Sequence, residues 1–231
     1  MSNIVEIKNL SKNYNKKEVL KNINLNIAEG QIVGLFGPNG SGKTTLLKTI
    51  AGLLKEYSGE ITIGGENIGV YTKSIVSYLP EKTYFHKNTT AKDAISIFSD
   101  FYTDFNADKA KSMLKELSLS ETQRIGTMSK GMQEKLQLIM VMSREARLYL
   151  LDEPLGGVDP ASRDYILDTI IKNYNEKSSI LLSTHLIHDV ERIFDKAIFI
   201  KDGNIVLNEY VDVIRDEKGT SIDKLFREVY K

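Results

Sequence analysis

The feature that most constrains the fold is the octapeptide GPNGSGKT, Gly37 to Thr44. It matches the pattern G-x-x-x-x-G-K-[ST], follows the apolar run QIVGLF and precedes the helical pattern KTTLLKTI. Glycines let the backbone turn tightly and point successive N–H groups at phosphate oxygens, and the helix N-terminus adds a partial positive charge. A glycine-rich turn that binds nothing is the alternative, but the motif is complete and lies in strand–loop–helix order. The segment therefore predicts a cradle for a nucleoside triphosphate.

The cradle motif assigns roles to three side chains. Lys43 is expected to reach the β- and γ-phosphates, Thr44 to ligate Mg²⁺, and Thr45 to contact the α-phosphate. The other predicted nucleotide-binding members of the cradle are Gly37, Pro38, Asn39, Gly40, Ser41 and Gly42.

A pair of carboxylates follows the apolar segment Leu148 to Leu151 in RLYLLDEP. Such a buried strand delivers the residues after it to the sheet edge where α/β proteins bind ligands. Asp152 is predicted to hold Mg²⁺ through water, and Glu153 to orient or deprotonate the attacking water. Alone, the pair is more typical of a solvated loop. Together with the cradle, it favours hydrolysis over simple nucleotide binding.

Strand patterns dominate the first third of the chain and return in its last third. IVEIKNL and VLKNINLNI alternate in polarity, and GEITIGGENIGV has a hairpin turn at Gly64-Gly65, so an N-terminal antiparallel β subdomain is expected. Further strands are predicted at SIVSYLP, where Pro80 ends the strand, and at RLYLLDE, SSILLSTH and KAIFIKDGNIVL. A helix pattern from Ala161 to Tyr174 separates two of these strands, which predicts a mostly parallel core sheet.

The stretch from residue 89 to 144 interrupts that alternation with three segments of 3.6-residue periodicity. Asn106 is a candidate N-cap for the second of them. We predict a single α/β domain over residues 1–231, with 89–144 as an inserted α-helical subdomain. The tail SIDKLFREVY has the pattern of a short amphipathic helix.

Composition argues against several other classes of site. The absence of cysteine excludes disulfides, thiolate catalysis and cysteine-ligated metals, and His86, His185 and His188 are too scattered to suggest a metal centre. Thirty-one basic residues balance thirty-one acidic ones, which disfavours nucleic acid binding through bulk charge. The N-terminus MSNIVEIKNL lacks the apolar stretch of a signal peptide, and the longest apolar run, LIMVM, falls far short of a membrane span. A cytoplasmic location is expected, with any membrane role depending on another protein.

The ordered set of motifs resembles that of the ATP-binding subunit of an ABC transporter, over roughly Ile4 to Tyr230. The cradle is followed by MSKGM at the family's signature position, by LLDEP, by GGVDP at its D-loop, and by STH. The resemblance implies a P-loop NTPase fold that uses ATP and Mg²⁺. It also implies two ATPase subunits facing head to tail, with ATP between the cradle of one and the signature of the other.

The resemblance extends to individual residues. Tyr14 matches the aromatic that stacks on adenine, and Asp159 matches the D-loop aspartate. Ser129 and Gly131 would meet the γ-phosphate bound by the opposite subunit, while His185 would contact the phosphate bound by its own. Each has a simpler reading in isolation: Tyr14 as a turn aromatic, and Ser129, Asp159 and His185 as helix caps.

Two positions depart from the family's usual pattern. The signature L-S-G-G-Q is Met128–Met132 here, with Lys130 in place of the first glycine. The charge of Lys130 either assists phosphate binding or is simply solvated. Glu81, in YLPEKTYF, replaces a glutamine that ligates Mg²⁺ and senses the membrane subunit; it keeps an oxygen ligand or else points into a surface groove. Both departures resemble the ATPase subunits of ABC-2 type exporters, including drug, bacitracin and lantibiotic resistance systems.

The leading hypothesis is the motor subunit of an exporter, peripheral on the inner face of the cell membrane through a separate polytopic membrane subunit. It would act as a homodimer or beside a second ATPase subunit, without nucleic acid. The alternative is a soluble ABC ATPase that acts as an assembly scaffold or regulator. ABC proteins of translation or DNA repair usually have two cassettes or long coiled coils, unlike this chain. The transported substrate and the direction of transport stay open.

Overall fold

Two β-sheets and their covering helices form the chain in this computed structural model, which describes residues 2–156, 160–175 and 177–231. The strands, in chain order, are β1 (Asn3–Tyr14), β2 (Lys17–Ala28), β3 (Ile32–Phe36), β4 (Ser58–Ile63), β5 (Glu66–Asn67), β6 (Val76–Leu79), β7 (Leu148–Asp152), β8 (Ser179–Thr184), β9 (Lys196–Lys201) and β10 (Asn204–Tyr210). The helices are α1 (Lys43–Ile50), α2 (Val70–Ile75), α3 (Ala91–Phe101), α4 (Ala107–Glu116), α5 (Lys130–Met142), α6 (Pro160–Asn173), α7 (Ile187–Val190), α8 (Val211–Lys218) and α9 (Ile222–Val229).

The first sheet is antiparallel and has the strand order β2-β1-β4-β5. Buried and exposed residues alternate along much of β1 and β2, as expected for strands with one face on the core. The predicted hairpin is present: Gly64 and Gly65 both have positive φ angles and join β4 to β5. The expected N-terminal antiparallel β subdomain is confirmed.

The second sheet has the order β10-β9-β3-β8-β7-β6, and every pair is parallel except β9 with β10. Strands β3, β7 and β8 are buried along their whole length, which continuous apolar runs predict for a sheet covered on both faces. Successive residues of β7 pack on opposite faces of the sheet. Tyr149 and Leu151 lie in the hydrophobic cluster on one face, and Leu148 and Leu150 lie in the cluster on the other. The mostly parallel core sheet of an α/β fold is confirmed.

Parallel pairing brings the ends of four strands to one edge of this sheet. The cradle follows β3, His185 follows β8, Asp152 ends β7, and Glu81 lies just after β6. Since β3, β8, β7 and β6 are adjacent in that order, residues distant in sequence converge at the carboxyl edge.

Three helices, α3, α4 and α5, lie within residues 89–144. The predicted caps are confirmed: Asn106 accepts a hydrogen bond from the Lys109 N–H at 2.9 Å, and Ser129 accepts one from the Met132 N–H at 3.3 Å. The division into one domain with an inserted helical subdomain stays a prediction. Within the described ranges, no helix has both the length and the apolar character needed to cross a membrane.

The strand predicted at SIVSYLP begins later than expected. Ser74 and Ile75 end α2, and β6 starts at Val76. This six-residue helix lacks a clear sequence pattern and is held at its start by Thr72, whose Oγ1 accepts a hydrogen bond from the Gly69 N–H at 2.9 Å. The side chain of Thr72 is buried, so the helix depends on tertiary packing.

A buried arginine fixes the helices of residues 89–144 to the core sheet. Arg144, just after α5, donates to the carbonyls of Ser74 and Val76, both at 2.6 Å, and to both carboxylate oxygens of Asp104 at 3.0 Å. Its guanidinium also lies 3.9 Å from the ring centroid of Tyr102. A buried charge with this many partners holds α5 against α2 and β6.

Candidate active site

Most of the predicted site residues border one cleft of about 840 Å³ at the carboxyl edge of the core sheet. Those that line it are Tyr14, Asn39, Gly40, Gly42, Lys43, Thr44, Thr45, Glu81, Glu153 and His185. The remaining cradle residues are Gly37, Pro38 and Ser41, and Asp152 lies behind the surface. Ser129 and Gly131 lie at the start of α5 and do not line the cleft, and Asp159 lies outside the described residues.

The backbone of the cradle has the geometry that its glycines predict. Gly40 and Gly42 have φ angles of +80° and +115°, which side chains rarely tolerate. A Cβ on Gly37 would lie 2.5 Å from the carbonyl oxygen of Ile200 and from Ser41 Oγ, so no larger residue fits. Ser41 Oγ is buried and has no hydrogen-bond partner among the described residues. A tight loop with an unpaired donor at a helix N-terminus fits a phosphate group.

Lys43 is a buried cation held between the cradle and the carboxylate edge. Its side chain is 6% exposed, and its Nζ donates to the Gly37 carbonyl at 2.7 Å. The same nitrogen lies 3.5 Å from Glu153 Oε1. Because a buried charge is costly unless it is paired, these contacts fix the ammonium inside the cleft.

Asp152 is the most enclosed acid of the site. Its Oδ1 accepts hydrogen bonds from Thr44 Oγ1 at 3.1 Å and Ser183 Oγ at 2.7 Å. The Tyr78 hydroxyl donates to its Oδ2 at 3.4 Å, and burial together with the charge of Asp152 raises the pKa of Tyr78 well above its usual value. The adjacent oxygens of Thr44 and Asp152 fit Mg²⁺, which takes few protein ligands beside phosphate oxygens and waters.

Glu153 has a backbone conformation unusual for its residue type, with a φ angle of +50°. Its N–H donates to the Ser183 carbonyl at 3.0 Å, which holds the turn at the end of β7. Its Oε2 lies 2.9 Å from Nδ1 of His185, and Oε1 faces Lys43. A left-handed glutamate held from three sides directs its carboxylate into the cleft.

The two departures from the family pattern also line this cleft. Glu81 lies on its wall in the segment after β6 and is absent from the lining of the neighbouring groove described below. Lys130 reaches the cleft from α5, with its Nζ 3.8 Å from Glu134 Oε1. The Lys130 side chain is largely exposed, so a solvated role and a phosphate-binding role both remain predictions.

Several residues of the site were not predicted from the sequence. Ser183 and Tyr78 donate hydrogen bonds to Asp152. The position of Ser183, between the apolar run of β8 and His185, is a sequence signal for the first of these contacts. On α5, Gln133, Glu134 and Gln137 also line the cleft, at the spacing of one helix face with Lys130. We name the set Lys130, Gln133, Glu134 and Gln137 the polar stripe of α5.

A second concavity, of about 580 Å³, lies beside the first and is mostly apolar. Its lining includes Leu53, Tyr84, Ile97, Phe98 and Phe101, and we name it the apolar groove. Phe101 is 79% exposed, which is unusual for a phenylalanine. The charged residues among its lining are basic: Lys48, Lys73 and Arg144.

Comparison with known proteins gives a consistent set of similarities. Residues 20–156 match a family model described as ABC transporter. The ABC transporter ATP-binding protein YtrB of Bacillus subtilis is 30% identical over 93% of this chain and 74% of its own length. The linearmycin resistance ATP-binding protein LnrL of the same organism is 32% identical over 88% of this chain and 68% of its own length. The SkfA peptide export ATP-binding protein SkfE, also from Bacillus subtilis, is 30% identical over 93% of this chain and 92% of its own length.

Solved structures have the same architecture. A structure described as the ATP-binding subunit of an ABC transporter superposes with a TM-score of 0.88 at 28% identity, covering 99% of this chain and 100% of that one. A dimeric ATP-binding cassette in a post-hydrolysis state, bound to ADP and Pi, gives a TM-score of 0.79 at 24% identity, covering 89% and 98%. The second similarity concerns the fold alone.

Proposed function

This chain belongs to the ABC transporter family as an ATP-binding subunit, and we propose that it is the ATP-hydrolysing motor of an exporter. The observation that carries hydrolysis is the contact of one carboxylate, Glu153, with both Lys43 of the cradle and His185. A protein that only binds nucleotide does not need a carboxylate at the end of β7 that faces the cradle lysine. ATP is the proposed substrate, with Mg²⁺ held by Thr44 and Asp152.

In the proposed reaction, a water attacks the γ-phosphorus and the bond to the ADP oxygen breaks. Glu153 takes the proton of that water, and Lys43 stabilises the charge on the β- and γ-phosphate oxygens. His185, paired with Glu153 at 2.9 Å, orients the carboxylate and contacts the phosphate. Mg²⁺ held at Thr44 and Asp152 would offset phosphate charge, and Glu81 is a further candidate oxygen ligand. Tyr14, half exposed at the cleft, would stack on adenine.

A head-to-tail dimer completes the proposed site. Ser129 and Gly131 do not line the cleft of their own subunit, and Ser129 is exposed at the N-terminus of the 13-residue helix α5. A helix N-terminus presents free N–H groups and a partial positive charge. These donors suit a γ-phosphate bound by the opposite subunit. Asp159 is proposed as the D-loop residue of this interface on its sequence position alone.

Export, as the direction of transport, rests on similarity to named relatives. LnrL is a resistance protein and SkfE serves peptide export. The sequences MSKGM and YLPE also resemble the exporter subfamily. The transported substrate is not implied by either relative.

The apolar groove is the proposed docking site for a polytopic membrane subunit. Its exposed aromatic and aliphatic side chains suit the apolar face of a short helix. Lys48 and Lys73 border it, and among the described residues that line it none is acidic, so the docking helix is expected to carry at least one carboxylate. This charge complementarity favours a protein helix with an acidic residue as occupant.

We expect Phe101→Asp to prevent assembly with the membrane subunit while leaving the ATPase activity of the isolated chain unchanged. Removing a mostly exposed phenylalanine and adding a charge costs more in the docked state than in the free one. Co-purification in detergent, with the two proteins co-expressed, measures the effect. Val206→Asp, at an exposed apolar position on β10 outside the groove, is the matched control. Assembly at the wild-type level would contradict the docking site.

Co-expression with a candidate polytopic membrane subunit, chosen from the products of the neighbouring genes, tests the whole proposal. A stable complex whose ATPase activity exceeds that of the isolated chain supports a transport motor. A chain that stays in the supernatant on fractionation, with full ATPase activity and no membrane partner, would favour the assembly scaffold or regulator.

Glu81→Gln is expected to retain most of the ATPase activity. The amide keeps an oxygen that can bind a divalent ion and removes one negative charge beside Asp152 and Glu153. Steady-state phosphate release at saturating ATP and Mg²⁺ measures the rate, with Glu81→Ala as the variant that lacks the oxygen. Complete loss of activity in Glu81→Gln would show that the carboxylate itself is required.

A further inference from the structure

The polar stripe of α5 contains a buried amide whose hydrogen bonds are unmet. Gln137 is 2% exposed, and its Oε1 has no hydrogen-bond partner in the described part of the chain. An unpaired buried amide destabilises the folded state. The positions on either side, Leu136 and Leu138, are buried apolar residues. Packing alone would favour an apolar residue here too. Yet Gln137 lines the nucleotide cleft, so a partner for the amide is expected to enter through that cleft.

A second unpaired oxygen lies one helical turn earlier. Glu134 Oε2 is buried without a partner among the described residues, while its Oε1 faces Lys130. Burial raises the pKa of Glu134, and the Lys130 charge opposes that shift. Two unmet oxygens three residues apart on one face make this side of the cleft a polar wall.

Gln133 provides the contrast within the same helix and the same cleft. Its Nε2 donates to the carbonyls of Ile125 and Met128 at 3.2 and 3.1 Å, which secures the loop before α5. Its amide therefore has a structural role already. The amide of Gln137 has no such contact, although it is more deeply buried.

We propose that the Gln137 amide binds the γ-phosphate end of ATP through one water, which donates to Gln137 Oε1 and to a phosphate oxygen. The cleft it lines is also bordered by Lys43, Thr44 and Glu153, the groups assigned to the terminal phosphate and its attacking water. The unpaired Oε1 suits this position because it accepts a hydrogen bond from a water whose other hydrogen is donated to a phosphate oxygen. The inference rests on the proposed ATP site and deepens it: α5, which begins beside Ser129, then contacts the nucleotide of its own subunit as well.

The test compares a nucleotide with a γ-phosphoryl group and one without. Affinities of the intact chain for AMPPNP, a nonhydrolysable ATP analogue, and for ADP are measured by calorimetry with Mg²⁺ present. Gln137→Met keeps the length of the side chain and removes the amide. We expect AMPPNP to bind about tenfold more weakly, as for loss of one hydrogen bond to a charged group, with the ADP affinity unchanged.

Gln133→Met is the matched control, and Tm is recorded for both variants. Since Gln133 secures a loop, its loss is expected to lower Tm and leave the ratio of the two affinities unchanged. The proposal would be overturned if Gln137→Met bound both nucleotides with wild-type affinity. It would also be overturned if the variant lost the same affinity for AMPPNP as for ADP. Should that variant unfold, Gln137→Ala is measured in the same way. A wild-type chain that binds neither nucleotide would instead refute the proposed ATP site.

Discussion

Lys43→Ala is expected to weaken ATP binding by at least about a hundredfold. Its ammonium is the buried cation nearest the cradle, and hydrogen bonds from a charged donor to phosphate oxygens are each worth about 1.5–3 kcal/mol. The substitution also leaves Glu153, 3.5 Å away, without its cation, so its negative charge would repel the phosphate. Calorimetric titration with ATP and Mg²⁺ measures the loss.

Lys55→Ala is the control for Lys43→Ala. Lys55 is an exposed lysine in the loop after α1 and does not line the cleft, so its removal changes the net charge equally without touching the site. Circular dichroism and Tm show whether each variant folds. Tight ATP binding by a folded Lys43→Ala protein would contradict the assignment of Gly37–Thr45 as the phosphate cradle.

Glu153→Gln is expected to lower kcat for ATP hydrolysis by about 10²–10⁴-fold, the usual contribution of a general base, while ATP binding is retained. The amide has nearly the shape of the carboxylate, so the hydrogen-bonded turn to Ser183 is kept. Loss of a negative charge near the γ-phosphate favours bound ATP. An ATP-bound dimer should then accumulate and elute earlier in size-exclusion chromatography than the same protein without nucleotide.

Phosphate release, measured beside the wild type and Glu145→Gln, decides this prediction. Glu145 is an exposed glutamate just after α5 and does not line the cleft, so its amide variant should hydrolyse ATP at the wild-type rate. Wild-type turnover by Glu153→Gln would remove Glu153 from the proposed reaction.

The cradle and the carboxyl edge of the sheet could be predicted from sequence because their signals are local. Gly37–Thr44 is a contiguous motif, and short apolar runs precede Asp152 and the STH segment that ends in His185, which predicts buried parallel strands. Once these strands are parallel and adjacent, the topology alone brings their ends together.

Other parts of the site depend on tertiary contacts that no local pattern reports. The left-handed φ of Glu153 is held by Ser183, which lies 30 residues further along the chain. The 3.6-residue periodicity in residues 89–144 predicts a helix with an apolar face, but it does not specify what the opposite face borders. The sequence alone therefore does not distinguish Gln137, which lines the cleft, from a polar residue on a solvated helix face.

The anchoring of Arg144 has a mechanical consequence. Arg144 lies at one end of α5 and lines the apolar groove, and Ser129 lies at the other end, about 20 Å away by the rise of a 13-residue helix. Because Arg144 holds its end to Asp104 and to the carbonyls before and within β6, that end has little room to yield. A displacement at the groove is then expected to move the helix as one body and reach Ser129. If the proposed membrane partner and head-to-tail dimer form, the helix would act as a strut that couples movement of the partner to the gap between the two subunits.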